Sequence, residues 1–350
     1  MTKFSFFWQT LCCLLIVAFG ASTRLQAQTQ PAQDAQQLFD KGLELSRDKE
    51  YSEAIEKFSA AIVKQGNFAD AYYERARAYA AINETEEAFR DLEIMITLAP
   101  SAKAYYQKGI ISLKVGYNNE AVENLSTAIS LDSTYALAYY YRASIYFATN
   151  RLKRSLADYT KCIELTPDYP DAYNDRASVY RQQEKYDLAI VDYTKAIALN
   201  DSCDFYYTNR GGTYRLQKEY DKALEDYNKA LSFGAKDKAM ILNNKGLAEQ
   251  ENGYPNNALQ SFLEAQTADS AYYYAYNNAG NLYYLQKNYT EALAQYNKAI
   301  ELKASFGTAY LNRGMVKEML HDDDGACEDW AKASKLDVEA ANGYISKQCK

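Results

Sequence analysis

Residues 273–306 read YYAYNNAGNLYYLQKNYTEALAQYNKAIELKASF, a stretch that fits two amphipathic helices. The first helix is predicted near residues 273–286 and the second near residues 290–303. The three residues 287–289 between them are too few for anything but an antiparallel hairpin. Small side chains on both helices would let the two backbones approach closely. They belong to Gly280, Ala292 and Ala299.

The same unit recurs along the chain, with Tyr273 taken as position 1. Position 8 is occupied by Gly42, Ala76, Gly109, Ala143, Ala177, Gly211, Gly246, Gly280 and Gly314. Position 20 is occupied by Ala54, Ala88, Ala121, Ser155, Ala189, Ala223, Ala258, Ala292 and Ala326. Both series advance by 34 residues, except for one step of 33 after Ala76 and one step of 35 after Gly211. Because both irregular steps fall after position 20, we expect them in the turns between units.

A period of this length repeated nine times predicts a stack of helical hairpins. We call the units repeats 1 to 9. They cover residues 35–68, 69–101, 102–135, 136–169, 170–203, 204–238, 239–272, 273–306 and 307–340.

Each unit resembles the tetratricopeptide repeat (TPR), in which an aromatic residue, Gly, Tyr, Ala and a second aromatic residue recur at set offsets. The matching residues are Tyr276, Gly280, Tyr283, Ala292 and Tyr296. The resemblance implies an all-α solenoid of antiparallel helix pairs that wind into a right-handed superhelix with the first helices on its concave side. Because a solenoid buries each apolar face only against its neighbour, residues 338–350 are predicted to form a C-terminal capping helix.

The N-terminus has the layout of a secretory signal peptide. Lys3 precedes an apolar run over residues 11–20, and small residues follow up to Ala27, after which we expect cleavage. A lipoprotein signal and an uncleaved anchor are the alternatives. Residues 28–34 look like a disordered lead-in. The mature chain is therefore expected to be exported, either to the periplasm or outside the cell. The signal peptide and the sequence of the repeats suggest a bacterial source.

Cysteine usage is compatible with export. Cys327 lies near the start of the last repeat's second helix, and Cys349 lies near the end of the predicted cap. Since a helix rises about 1.5 Å per residue, the two antiparallel helices bring these cysteines to a similar height. They would form a disulfide or remain as two thiols in the cap.

Charged residues at positions 7 and 23 occur together. Every repeat with Arg at position 7 has Asp at position 23, and no repeat without that Arg has the Asp. This co-occurrence predicts five ion pairs between the two helices of one repeat. The pairs are Arg75–Asp91, Arg142–Asp158, Arg176–Asp192, Arg210–Asp226 and Arg313–Asp329. These charges are then structural rather than catalytic.

The resemblance places ligand-facing side chains at positions 2, 5, 6, 9, 12 and 13 of the concave groove. Asn occupies position 6 in four successive repeats and resembles a ladder that binds the backbone of an extended peptide, because an amide both donates and accepts. Alternatively, these are consensus residues without a shared ligand. Candidate binding residues are Asn209, Asn243, Asn244, Asn277, Asn278, Asn281, Asn312, Tyr73, Tyr106, Tyr140 and Phe147. Each aromatic side chain could equally pack between repeats.

The composition argues against catalysis and against nucleic-acid binding. His321 is the single histidine, it precedes three aspartates in a predicted turn, and no phosphate-binding loop is present. The net charge of −7 disfavours nucleic acid. We therefore predict a non-catalytic scaffold that needs no cofactor or metal, binds a protein or peptide partner and does not insert into a membrane once its signal is removed. The alternatives are glycan binding in the same groove and a structural subunit that assembles through its convex face or ends.

Overall fold

The computed structural model describes residues 32–349, so the predicted signal peptide lies outside the described residues. Within this range the chain forms nineteen α-helices and no β-strand. It divides into two compact units, one ending at Pro167 and the other beginning at Asp168.

The first unit contains helices α1 to α8, and the second contains helices α9 to α19. The helices of the first unit are α1 (32–47), α2 (Tyr51–Lys64), α3 (Ala69–Ala81), α4 (Thr85–Leu98), α5 (Ala102–Lys114), α6 (Asn118–Leu131), α7 (Ala136–Ala148) and α8 (Leu152–Leu165). Those of the second unit are α9 (Pro170–Gln182), α10 (Tyr186–Leu199), α11 (Asp204–Leu216), α12 (Tyr220–Ser232), α13 (Lys238–Glu251), α14 (Pro255–Ala268), α15 (Tyr273–Leu285), α16 (Tyr289–Leu302), α17 (Gly307–Met319), α18 (Asp323–Lys335) and α19 (Ala340–Gln348).

Two boundaries differ from the sequence-based prediction. Residues 32–34, which we assigned to the lead-in, form the first turn of α1. They are ordered there because Ala35 is fully buried and Asp34 lies 3.8 Å from Lys64 Nζ. The capping helix begins at Ala340 rather than at residue 338. Asp337 takes a left-handed conformation with φ 61°, which interrupts the helical path between α18 and α19.

Each repeat consists of two antiparallel helices joined by a three-residue turn. The chain reverses at position 15, where φ is positive in all nine turns. The nine residues are Lys49, Asn83, Gly116, Asn150, Glu184, Lys218, Gly253, Lys287 and His321. Only Gly116 and Gly253 adopt this conformation without the steric cost that a Cβ atom imposes.

We expect Glu184→Gly to stabilise the second unit by about 1 kcal/mol, because it removes the strain of a left-handed non-glycine residue (φ 59°). The thermal unfolding midpoint should rise. Lys185→Gly is the matched control. Lys185 has φ −87°, so a glycine there removes no strain and should not stabilise the protein. Equal effects of the two substitutions would contradict the strain argument.

The helices pack through the small residues of positions 8 and 20. Ala292 and Ala223 are fully buried, and Gly280 lies directly against the Tyr296 ring. The two irregular steps of the repeat fall between repeats. Only the three residues 99–101 separate α4 from α5, whereas the five residues 233–237 separate α12 from α13.

All five predicted ion pairs are present. In each pair the Arg Nε and Nη2 atoms donate to the two carboxylate oxygens of the Asp over 2.6–2.9 Å. The structure adds a third partner that the sequence did not reveal. Arg Nη1 donates over 2.7–3.0 Å to position 25 of the preceding repeat, as in Arg75–Ser59, Arg142–Ser126, Arg210–Thr194 and Arg313–Asn297. Each of these four arginines therefore joins the two helices of its own repeat and also joins that repeat to its neighbour.

The C-terminal cap is tied to the last repeat by a disulfide and a ring stack. Cys327 and Cys349 are bonded, with their Cα atoms 5.6 Å apart. Trp330, only 1% exposed, stacks on Tyr344 of α19 with ring centroids 5.0 Å apart. These contacts cover the apolar end of the second unit, as a solenoid requires.

Candidate functional site

In each unit, the first helices of the repeats form one face, which we call the inner face. The second helices form the opposite face, which we call the outer face. In the second unit, the first helices of successive repeats contact one another, from α9 through α11, α13 and α15 to α17. Side chains at positions 6, 9, 12 and 13 of these helices line the clefts of this face. A binding site on the inner face therefore receives side chains from neighbouring repeats.

The inner face of the first unit holds a cleft of about 390 Å³ that is lined by residues of repeats 1 to 3. Its charged side chains are mostly paired within the protein. Arg77 Nη1 lies 2.8 Å from a carboxylate oxygen of Glu74, and Lys114 Nζ donates to the Ala80 carbonyl over 2.9 Å. This cleft therefore offers few charged groups that still lack a partner.

The predicted asparagine ladder is largely used inside the protein. Asn209, Asn278 and Asn312 at position 6 each donate to an asparagine at position 5 of the preceding repeat, over 2.8–3.1 Å. The acceptors are Asn174, Asn243 and Asn277. Of the candidate residues, Asn209, Asn243 and Asn277 are at most 9% exposed, so their side chains serve the contact between repeats and present little surface to a ligand. Their amides pair because stacking brings positions 5 and 6 of adjacent repeats together.

Asn244 is the exception in this series. Its counterpart in the preceding repeat is Thr208, whose hydroxyl donates to the Asp204 carbonyl instead. Within residues 32–349 the Asn244 amide makes no side-chain hydrogen bond, and the residue is half-buried. In the predicted ladder, Asn244 is the one residue whose side-chain amino group and side-chain carbonyl oxygen both remain available.

The aromatic candidates take part in packing contacts. The Tyr106 ring contacts the Tyr135 ring in a tilted arrangement with centroids 4.9 Å apart, and the Tyr140 and Tyr159 rings meet edge to face at 5.7 Å. Lys103 Nζ lies 4.8 Å from the centroid of the Tyr73 ring. Phe147, at the end of α7, is half-buried. These contacts agree with the packing alternative, and each ring keeps part of its surface exposed.

A second cleft of about 290 Å³ lies on the inner face of the second unit, between repeats 8 and 9. We call it the repeat 8–9 cleft. It is lined by Asn281, Tyr284, Leu285, Tyr296, Asn312 and Met315. Asn281 Oδ1 accepts from the Tyr296 hydroxyl at 2.7 Å and from Asn312 Nδ2 at 3.0 Å, which leaves the Asn281 amino group without a hydrogen-bond partner within residues 32–349.

Position 13 carries exposed apolar side chains in repeats 8 and 9. Leu285, which lines the cleft, is 67% exposed, and Met319 is 44% exposed. Large solvent-exposed apolar side chains mark interaction surfaces when they cluster. Tyr284, Leu285 and Met315 were not among the residues predicted from the sequence, although positions 9, 12 and 13 were already assigned to the groove.

His321 lies in the turn between the two helices of repeat 9. It is the position-15 residue of repeat 9, with φ 63°. The next residue, Asp322, caps α18 by accepting from the Gly325 amide at 3.1 Å. No group of three or more His, Cys, Asp or Glu suited to a metal was found among the described residues. In the same part of the chain, the helices are either too short or too polar to cross a bilayer.

The sequence matches family models of this repeat over more than half of its length. A model described as TPR repeat matches residues 143–180 and 280–320. Three models described as tetratricopeptide repeat match residues 170–203 and 205–233, residues 39–103, and residues 102–135.

Curated relatives share short segments with the chain. Human tetratricopeptide repeat protein 6 is 28% identical over 82 residues, which are 23% of this chain and 16% of that protein. Hsp70-Hsp90 organizing protein 3 of Arabidopsis thaliana is 31% identical over 94 residues, which are 27% of this chain and 17% of that protein. The matched segments thus span about a sixth of the length of these relatives.

A solved structure supports the fold alone. Pseudomonas aeruginosa pilF superposes with a TM-score of 0.53 at 19% identity, covering 61% of this chain and 97% of that chain. Nine helix pairs in register, the interlocked position-7 arginines and the matches along the sequence lead to one assignment: the chain belongs to the tetratricopeptide repeat family.

Proposed function

We propose that this protein is a non-catalytic scaffold that binds a segment of a partner protein on the inner face of its second unit. The observation that carries the proposal is the repeat 8–9 cleft, which combines an exposed apolar side chain, Leu285, with the polar side chains of Asn281 and Asn312. Apolar contacts with a few placed polar groups are the usual composition of a recognition surface. The binding role of tetratricopeptide repeats in general agrees with this proposal.

We propose further that the mature chain acts outside the cytoplasm. The signal-like N-terminus and the Cys327–Cys349 disulfide support this, because structural disulfides persist in oxidising compartments. The acidic net charge of −7 disfavours nucleic acid as the partner. Binding by the repeats requires neither a cofactor nor a metal.

Affinity capture from a native envelope extract tests the proposal with three baits. They are the chain from Gln28, the same chain with Tyr284→Ser and Leu285→Ser, and a control with Val191→Ser on the outer helix α10. Val191 is 65% exposed, as Leu285 is 67% exposed, so its replacement removes exposed apolar surface without touching the inner face. We expect one protein to be enriched by the first and third baits and reduced at least tenfold on the second.

The other outcomes identify the alternatives. Equal capture by all three baits would move the interface to the outer face or the ends and favour a structural subunit. Enrichment of a polysaccharide that the double variant fails to hold would favour the glycan alternative. The captured protein would then be purified, and its dissociation constant measured for all three chains.

A further inference from the structure

Two repeats of the first unit carry opposite charges at the same three positions. Positions 16, 18 and 19 lie at the end of the turn between the two helices and in the first turn of the second helix. Only repeat 2 is acidic at all three positions, and only repeat 4 is basic at all three. We call Glu84, Glu86 and Glu87 the acidic triplet, and Arg151, Lys153 and Arg154 the basic triplet.

Neither triplet is neutralised within the protein. In the described part of the chain none of the six side chains forms an ion pair. Five of the six residues are exposed, and Glu87 is half-buried. The Cζ atoms of Arg151 and Arg154 lie 5.9 Å and 5.7 Å from the centroid of the Tyr146 ring. One ring therefore positions two guanidinium groups without cancelling their charge.

Repeat 3 separates the two triplets along one edge of the first unit. Because α4 contacts α5 and α6 contacts α7, the turns of repeats 2, 3 and 4 follow one another along this edge, which we call the turn edge. Repeat 3 presents Tyr117, 59% exposed, and Val115, 36% exposed. Its one charged residue at positions 16 to 19 is the half-buried Glu120. The turn edge thus has an acidic end, a largely apolar centre and a basic end.

We propose that the turn edge is a homodimer interface in which two copies of this chain meet antiparallel about a two-fold axis. In this arrangement the acidic triplet of each copy faces the basic triplet of the other, and the two Tyr117 side chains meet near the axis. A parallel arrangement would oppose like charges. A two-fold interface is self-complementary by symmetry, and an apolar centre with a polar rim is its usual composition.

A second copy is the occupant that the charges favour, because the two triplets occupy equivalent positions on either side of repeat 3. The copy that supplies the acidic triplet therefore also supplies the basic triplet at the matching distance from Tyr117. The interface uses the turn edge and not the inner face, so the inference does not depend on the binding function proposed above. A dimer would present two inner faces to its partners.

Sedimentation velocity of the full mature chain tests the proposal. We expect a monomer–dimer equilibrium at concentrations up to about 0.1 mM. Salt screens exposed ion pairs, so the dissociation constant should rise at least tenfold between about 0.05 M and about 0.5 M sodium chloride.

Charge reversal separates the proposed pairing from a loss of folding. One variant reverses the basic triplet with R151E, K153E and R154E. The other variant reverses the acidic triplet with E84K, E86K and E87K. Each variant alone opposes like charges across the interface and should be monomeric. An equimolar mixture should form a one-to-one heterodimer, and the chain with all six substitutions should again form a homodimer, since every triplet then faces its opposite.

Cysteine cross-linking tests the two-fold geometry. In a Cys203→Ser background, Tyr117→Cys should give a disulfide-linked dimer under mild oxidation, because residues near the axis lie close to their own copies. Tyr254→Cys is the matched control. Tyr254 also occupies position 16 and is 53% exposed, but repeats 6 and 8 on either side of it carry no complementary triplets. It should cross-link at least tenfold less.

Four results would overturn the proposal. They are a monomer at every concentration, assemblies larger than a dimer, a mixture of the two reversed variants that stays monomeric, and equal cross-linking at positions 117 and 254. Each of these results would leave the scaffold function standing, because capture of a partner by the second unit does not involve the turn edge of the first.

Discussion

Asp226→Ala is expected to lower the free energy of unfolding of the second unit by about 3–5 kcal/mol, because it leaves a largely buried guanidinium without its counter-charge. Asp226 is 5% exposed and accepts from Arg210 Nε at 2.9 Å and Nη2 at 2.8 Å. The Arg210 side chain is only 17% exposed. Arg210 also donates to Thr194 of the preceding repeat, so its loss of orientation loosens the contact between repeats 5 and 6. Urea unfolding followed by circular dichroism measures the loss.

The Arg210–Asp226 pair is expected to contribute much less to the free energy of unfolding than is lost when Asp226 alone is replaced. Burial raises the pKa of Asp226 although the Arg210 guanidinium beside it opposes the rise, so at this carboxylate desolvation outweighs the attraction, whereas the bonds to Asp226 raise the pKa of Arg210 against its own burial. Repeat 8 shows that the fold tolerates the absence of both charges, with Ala279 at position 7 and Gln295 at position 23. The double variant Arg210→Ala, Asp226→Gln copies that repeat. We expect it to stay within about 2 kcal/mol of the unchanged chain, including the packing lost with the arginine.

Hydrogen exchange locates the effect. In a solenoid, stability is a sum of repeat and neighbour terms, so the loss of protection should centre on α11 and α12 and fade toward α17. A double variant as unstable as Asp226→Ala would contradict the desolvation argument. Uniform loss of protection along the second unit would contradict the nearest-neighbour picture.

Cys349→Ser is expected to destabilise the C-terminal cap by about 2–4 kcal/mol, because the disulfide closes a loop between residues 22 apart in sequence. The effect should stay local to α18 and α19. Trp330 reports on it, since the only other tryptophan of the chain is Trp8 in the predicted signal peptide. Opening of the cap exposes the indole, which stacks on Tyr344, and its fluorescence should shift to the red at a lower denaturant concentration.

Two controls separate the disulfide from the loss of a sulfur atom. Cys203→Ser changes a half-buried free cysteine and should leave the Trp330 transition unchanged. A reducing agent should lower the transition of the unchanged chain to that of Cys349→Ser, and it should not lower the variant further. A transition that neither the substitution nor reduction moves would show that packing of the cap, not the disulfide, sets its stability.

The repeat architecture was predictable from local information. Small residues at positions 8 and 20 indicate where two helix backbones pack closely. The regular spacing of these positions from one repeat to the next indicates that similar hairpins stack. The Arg–Asp pairs were predictable because the two residues change together from repeat to repeat. The Cys327–Cys349 disulfide remained one of two alternatives, since equal height along two helices does not establish that the thiols face each other.

The candidate site was predictable only in part. Positions 5 and 6 were assigned to the groove from the resemblance, yet Asn209, Asn243 and Asn277 are buried between repeats. A partial signal existed in the sequence, because each position-6 Asn that pairs is preceded one repeat earlier by an Asn at position 5. That signal becomes a prediction only when the stacking geometry is known.

The sequence by itself therefore determined the helical hairpins, their order and the ion pairs within each repeat, because these depend on contacts at a constant spacing along the chain. The tertiary structure alone decided which polar groups remain available for a partner. That outcome depends on the side chain that the neighbouring repeat presents, on the distance between stacked helices and on the rotamers that close packing allows. Asn244 illustrates the difference: in the sequence it is one more asparagine at position 6, whereas in the structure its counterpart Thr208 bonds to the Asp204 carbonyl and the Asn244 amide makes no side-chain hydrogen bond within residues 32–349.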